Sequence, residues 1–252
     1  MSEPATHRWT ASDGVELAYH ELGQGRPVIL LHGLFSSAQV NWIKFGHAAK
    51  LAALDRRVIM PDLRAHGQST APHDAVNYPD GILGRDLVEL IAHLGLTDYD
   101  LGGFSLGART TVQGIGEGLR PGRAVLAGMG LEGLTGWLGR KHFFVDAIAN
   151  YETASRGDKH WLAIQFMKTM KVDRVAAGLL LPTFSDAHPE WLAAFTMPTL
   201  VLCGTEDADN GSAPKLVAAL PAATLADVPG THMSSVTRPE FGDALAAFLA
   251  SA

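Results

Sequence analysis

The stretch LGGFSLGART, residues 101–110, holds Ser105 between Gly103 and Gly107. A serine hydroxyl is a weak nucleophile until a neighbouring base takes its proton. Gly-x-Ser-x-Gly spacing suits a serine in a sharp strand-to-helix turn, because side chains at the two glycine positions would strike the adjoining strand and helix. The hydroxyl then stands above the sheet. The N-terminus of the following helix offers backbone N–H groups to a developing negative charge. That combination serves attack on a carbonyl carbon.

A nucleophilic serine needs a histidine base, and the histidine needs a carboxylate to orient it. Of the eleven histidines, most read as ordinary surface or helix-face residues, among them His47, His93, His142 and His160. His232 differs. It follows an apolar run in VPGTHMS, just ahead of the closing helical segment, at the carboxyl end of a strand where sites in open parallel sheets form. LVLCGTEDADN supplies the acid between serine and histidine in the chain. Asp207 is the choice, with Glu206 and Asp209 as adjacent rivals and a solvated acidic loop as the plain alternative.

The elements that must position these residues are legible as alternating patterns. HRWTAS and VELAYHEL flank Asp13-Gly14, a hairpin signal. PVILLHG, RRVIMPDLR, YDLGGF, RAVLAGMG, TLVLCG and ATLADVPG read as further strands, most of them continuous apolar runs typical of a parallel sheet buried on both faces. NWIKFGHAAKLAAL, GRDLVELIAHLGL, SLGARTTVQGIGEGL and PEFGDALAAFLA carry helical patterns between them. Strand and helix in turn predict a mostly parallel, eight-stranded α/β sheet with helices on both faces. From about 131 to 195 no strand pattern occurs, and large apolar groups are dense. That segment is expected to be a helical cap inserted into a single domain spanning 1–252. Trp137, Phe143, Phe144, Trp161 and Phe166 are its candidate pocket residues.

Composition bounds the partners. The chain has 252 residues, 47% hydrophobic and 18% charged, with a formal net charge of −6. No basic patch points to nucleic acid as a partner, and no run approaches the length of a membrane span. One cysteine, Cys203, precludes an intrachain disulfide and fits a reducing compartment. It lies in an apolar strand and reads as packing. The start of the chain lacks a basic head before an apolar stretch, so it does not read as a signal peptide. The expected location is cytoplasmic. No zinc-type cysteine–histidine cluster or phosphate-cradling glycine loop is present, so neither a metal nor an organic cofactor is expected.

With these motifs in order, the chain resembles the α/β-hydrolase fold superfamily over nearly its whole length, in particular its small, capped esterase, lactonase and C–C hydrolase branch. The residues that carry the likeness are His32-Gly33, PDLRAHGQS (61–69), GFSLG (103–107), GTED (204–207) and GTH (230–232). The resemblance implies that the backbone N–H groups of Leu34 and Leu106 form an oxyanion hole, with Phe35 adjacent to the first. It implies that His32, Asp62, Arg64 and His66 brace loops. Relatives that open epoxides or remove halides attack with an aspartate where this chain has Ser105, so the resemblance argues against those reactions here.

The expected function is therefore hydrolysis of a small, fairly apolar carboxylic ester or lactone through an acyl-enzyme, with Ser105, His232 and Asp207 as the triad. A C–C bond hydrolase, thioesterase or perhydrolase would use the same three residues. A ligand-binding signalling protein with a hydrolase fold is the alternative of another class.

Overall fold

A computed structural model of the chain describes residues 3–250. Residues 1–2 and 251–252, the outer ends of the expected single domain and the first two residues of the chain start, lie outside the described residues. β1 (Ala5–Thr10) and β2 (Glu16–Leu22) form the expected antiparallel hairpin, in register from Ala5↔Glu21 to Thr10↔Glu16. β3 (Arg26–Leu31), β4 (Arg56–Pro61), β5 (Asp100–Phe104), β6 (Ala124–Ala127), β7 (Thr199–Gly204) and β8 (Ala223–Val228) run parallel to one another. The eight strands lie in the order β1-β2-β4-β3-β5-β6-β7-β8. β5, which ends at the serine, is central.

Successive side chains of a strand point to opposite faces, and the two cores follow from that period. Val28 and Leu30 of β3 pack with α1 (His47–Ala52) and α11 (Pro239–Ala250) through Leu51, Phe241 and Leu245. Ile29 and Leu31 pack on the other face with α2 (Ile82–His93), α3 (Leu106–Gly116) and α9 (Ala213–Ala219) through Leu87, Val112 and Leu216. The expected helix NWIKFGHAAKLAAL is divided. A short π-helical turn, Gln39–Ile43, precedes α1, and Gly46 between them takes a left-handed φ of 81° that a continuing helix cannot accommodate. His47 and His160 are buried rather than at the surface.

Between β6 and β7 come only helices: α4 (Leu131–Thr135), α5 (Trp137–Ala149), α6 (Trp161–Thr169), α7 (Arg174–Leu180) and α8 (Pro189–Ala193), with a short 3-10 turn at Leu181–Thr183. Ala147, Ile164, Met167 and Ala177 of this insertion form a small core of their own with Phe35. α8 instead lies beside α3, where a Cβ on Gly116 would meet Trp191 Cγ at 2.3 Å. Among the described residues no helix is long and apolar enough to cross a membrane.

Arg64 ties the loop after β4 to the body. It is fully buried and donates to Asp13, to Asp86 and to the Asn77 carbonyl. Removing one partner of a buried ion pair leaves the other desolvated and uncompensated. Arg64→Met is therefore expected to lower unfolding stability by about 3–5 kcal/mol, read as a fall in the urea midpoint. A shift within error of zero would mean that solvent reaches the two aspartates.

Candidate active site

β5 enters the site at Phe104 and α3 leaves it at Leu106. A Cβ on Gly103 would lie 2.3 Å from the Gly107 carbonyl carbon, and one on Gly107 would lie 2.2 Å from the Leu31 carbonyl oxygen. Only glycine at both positions lets α3 descend this close to β3. The chain makes the turn at Ser105 itself, with φ 54° and ψ −108°. A non-glycine residue held there stores strain of about 1–3 kcal/mol. The Ser105 N–H, bonded to the Ala127 carbonyl at 2.8 Å, anchors the turn to β6.

His232 reaches this serine from the loop after β8. Thr231 and Ser234 form a capping box that opens α10 (His232–Ser235) and fixes where the imidazole starts. The loop after β7 is bonded to the same segment, since Glu206 N–H donates to the Gly230 carbonyl at 3.0 Å. Asp207 and His232 are thereby brought side by side. His232 Nδ1 lies 2.9 Å from Asp207 Oδ2, and its Nε2 lies 3.1 Å from Ser105 Oγ. The Asp207 side chain is 2% exposed and that of His232 12%, so the pair is shielded while one imidazole edge stays open. Phe104 stacks on the imidazole, with centroids 4.8 Å apart.

Of the rival acids, Glu206 is exposed and bonded to the histidine by nothing. Asp209 is exposed but close, its own N–H donating to Asp207 Oδ1 at 3.1 Å. Asp207, Asp209 and His232 present ligand atoms within 4.8 Å of one another. A cation held by all three would have to displace the Asp207–His232 or the His232–Ser105 hydrogen bond, so the group is better suited to orienting an imidazole.

The loop after β3 carries the other expected donor. Phe35 N–H is committed, donating to His66 Nε2 at 3.0 Å. Leu34 N–H and Leu106 N–H meet no acceptor among the described residues, and both residues line the same cavity as Ser105. Phe35 N–H, next to the expected donor, is thus taken, and Leu34 N–H is left without an acceptor among the described residues. His32 Nε2 accepts from Leu63 N–H at 3.0 Å, and its Nδ1 faces the Gly33 carbonyl at 2.8 Å. Asp62 accepts from Ala38 N–H and Gln68 N–H and pairs with His20 at 3.1 Å. These residues brace the loops as expected, and His20, Asp13 and Asp86 are partners that local sequence patterning does not single out. Cys203 is buried, its thiol pushed up to about 12 by that burial.

Above Ser105 lies a cavity of about 810 Å³, roofed by the insertion. Trp137, Phe143, Phe144 and Phe166 line it as expected. Trp161 does not. At 3.6 residues per turn, the α6 residues that face the cavity, Leu162, Ala163 and Phe166, centre roughly 150° around the helix from Trp161. Leu162 takes the place assigned to it. Arg109 and Arg140 also line the cavity, and the sequence reading passed over both. Arg109 sits four residues after Ser105, and that offset was the available signal.

Residues 26–113 match the family model described as alpha/beta hydrolase fold. Over 112 residues the chain is 34% identical to the non-heme chloroperoxidase CPO-A1 of Kitasatospora aureofaciens, covering 43% of this chain and 38% of that protein. Over 95 residues it is 33% identical to the soluble epoxide hydrolase of Corynebacterium sp. (strain C12), covering 38% of this chain and 31% of that one. The chain thus matches well under half the length of these curated relatives. The crystal structure of the esterase RhEst1 from Rhodococcus sp. ECU1013 superposes with a TM-score of 0.73 at 26% identity, covering 98% of each chain. The eight-stranded, mostly parallel sheet with its surrounding helices is the α/β-hydrolase fold.

His66 carries a pH consequence. Burial, with His32 adding to it, holds its imidazole down to about 3, and its Nε2 must be free of a proton to accept from Phe35. The unfolded chain protonates this histidine near its ordinary value of about 6.5. The unfolded state therefore binds the extra proton first, so the stability His66 contributes is complete above about pH 6.5 and is lost as pH falls towards about 3. The urea midpoint should fall more steeply between pH 7 and pH 4.5 in the wild type than in His66→Gln. Equal slopes would remove His66 from the acid response.

Proposed function

We propose that this protein is a serine hydrolase that cleaves a small, fairly apolar carboxylic ester or lactone through an acyl-enzyme. The observation that carries the reading is one imidazole spanning Ser105 Oγ and Asp207 Oδ2 at the floor of a largely apolar cavity. Ionised Asp207 accepts from Nδ1–H, which leaves Nε2 as the acceptor for the Ser105 hydroxyl. His232 takes the proton as Oγ attacks the carbonyl carbon, and Asp207 stabilises the imidazolium that results. The oxyanion is received by the N–H groups of Leu34 and Leu106. Imidazolium then protonates the leaving alcohol. Water, deprotonated by the same histidine, releases the acid and restores Ser105.

The esterase neighbour supports this reading. Epoxide opening through an alkyl-enzyme ester would need a carboxylate where Ser105 stands. The relative named as a chloroperoxidase favours one second reading, in which hydrogen peroxide clears the same acyl-enzyme and gives a peracid. Peracid formation from an ester and peroxide, measured beside plain hydrolysis, separates the two.

Wild type should turn over one or more members of a panel of short acyl esters and lactones and take up an organophosphonate probe at Ser105. Ser105→Ala should fold and lose the label, and labelling of a different residue would overturn the assignment. Asp207→Asn should lower kcat by at least about 10²-fold, because the neutral amide favours the wrong tautomer. Glu206→Gln and Asp209→Asn should each cost less than about tenfold, as expected of exposed charges. A crippled Asp209→Asn would move the orienting role to the neighbouring carboxylate.

Within the cap, Phe166→Ala should change acyl-chain preference, while Trp161→Ala should leave it within about twofold, since only the former removes cavity wall. The ratio of kcat/KM for butyrate and octanoate esters measures this. Equal effects from the two would mean that the roof does not select the acyl chain.

A further inference from the structure

Three arginines are buried among the described residues: Arg56, Arg64 and Arg109. Arg56 meets Asp100 at 3.0 Å, and Arg64 meets Asp13 and Asp86 at 2.7 and 2.8 Å. Among the described residues no carboxylate lies within ion-pair distance of Arg109. Its terminal nitrogens donate to the neutral carbonyls of Gly133, Leu134 and Ser185, and among the described residues its Nε–H meets no acceptor. Asp186 acts on it only from farther off, being spent on the N–H groups of Trp137 and Leu138. Burial therefore pulls the guanidinium down to about 10, the opposite direction from Arg64. Buried charges are ordinarily paired, because desolvation without a counter-ion is costly.

A second observation falls beside it. The indole N–H of Trp137 is buried and has no hydrogen-bond partner, and the Trp137 ring lies 5.4 Å from the Arg109 guanidinium carbon. Both residues are on the wall of the cavity that holds Ser105 and His232. Indole and guanidinium groups donate hydrogen bonds and accept none. What completes them together is an acceptor, and the unpaired positive charge asks that it be an anion. A planar carboxylate matches the guanidinium fork. The rest of the wall is mostly apolar. Its other charged side chains are Asp209, Arg140, on which Asp209 and Asp207 act, and Lys159, which pairs with Asp146 at 3.6 Å.

We propose that Arg109 and Trp137 form a carboxylate-recognition subsite, so that the ester or lactone cleaved at Ser105 carries a free carboxylate at the far end of a short apolar chain. The proposal rests on the hydrolase reading for what happens at Ser105, but the anion subsite is separable from it. Ser105 and Arg109 lie one helical turn apart on α3, the Arg109 N–H donating to the Ser105 carbonyl at 3.0 Å. Four residues of helix advance about 6 Å, which suits a chain of a few carbons between reacting carbonyl and carboxylate.

The experiment compares the mono-p-nitrophenyl ester of glutaric acid with p-nitrophenyl butyrate. Wild type should favour the anionic ester in kcat/KM by at least about tenfold, a charge-assisted hydrogen bond being among the stronger polar contacts. Arg109→Gln should abolish that preference, lowering kcat/KM for the anionic ester by at least about tenfold more than for butyrate. Trp137→Phe, which keeps a ring and removes the N–H, should reduce it in the same direction, and it carries the comparison should Arg109→Gln fail to fold. Binding is read separately. Glutarate should raise the Tm of Ser105→Ala, neutral glutaramide should not, and Trp137→Phe in that background should diminish the shift. A wild type indifferent to the ester's charge, or equal shifts from glutarate and glutaramide, would overturn the subsite. If neither ester is hydrolysed yet glutarate alone stabilises, the subsite stands and the hydrolase reading falls.

Discussion

The backbone contact between α3 and β3 sets the geometry of everything above it. Gly107 lies so near the Leu31 carbonyl that no Cβ fits, and Gly103 lies equally near Gly107. With helix and sheet in van der Waals contact at that level, the chain has one residue in which to reverse direction, and that residue is Ser105 at φ 54°. The strain is local, but what maintains it is distributed: β5 is hydrogen-bonded to β3 and β6 and sealed by apolar clusters on both faces. A turn embedded in such a core cannot relax without displacing the middle of the sheet. The serine is therefore presented at one height above the strand ends, where the loops after β3, β7 and β8 converge.

The histidines around this turn differ in what their ring nitrogens face. In His32 and His66 both nitrogens are occupied by backbone groups, and burial pushes both towards the neutral form. Each works as a fixed donor–acceptor strut between the loop after β3 and the loop after β4. Their arrangement holds Phe35 N–H out of the cavity and leaves Leu34 N–H available within it. His232 has a carboxylate on one side and a hydroxyl on the other, which is the asymmetry proton transfer requires. Identical side chains grouped around one serine thus differ in what they can do according to their partners.

Much of this was legible in the sequence because it depends on period and order. Strands buried on both faces show as apolar runs, and Ser105, Asp207 and His232 follow such runs in chain order. Local pattern loses its hold where partners come from distant segments. Arg64 was readable as a loop brace, but Asp13 and Asp86, which neutralise it, come from a hairpin turn and a helix that sequence adjacency does not connect. That Phe35 N–H is taken depends on an acceptor thirty-one residues away in the chain. The cap was harder still. Its helices have apolar groups facing both their own small core and the cavity, so a large aromatic residue carries no mark of which side it takes, and Trp161 and Leu162 exchange roles for that reason.

Placing a cation four residues after the nucleophile on one helix has a consequence for how the proposed site would choose its substrate. Ser105 and Arg109 sit on one helix packed against the sheet and α2, so the separation of their backbones does not depend on the position of the cap. Trp137 and Phe166 belong to the cap, and Trp137 approaches Arg109 from it. Arg109 in turn donates to the carbonyls of Gly133 and Leu134 at the end of α4, and so holds the start of the insertion to α3. Length would then be measured by the rigid helix and girth by the cap. An anion that drew the guanidinium away from those carbonyls would loosen the α4 end of the roof as it bound, which ties occupancy of the far subsite to the enclosure of the carbonyl at Ser105.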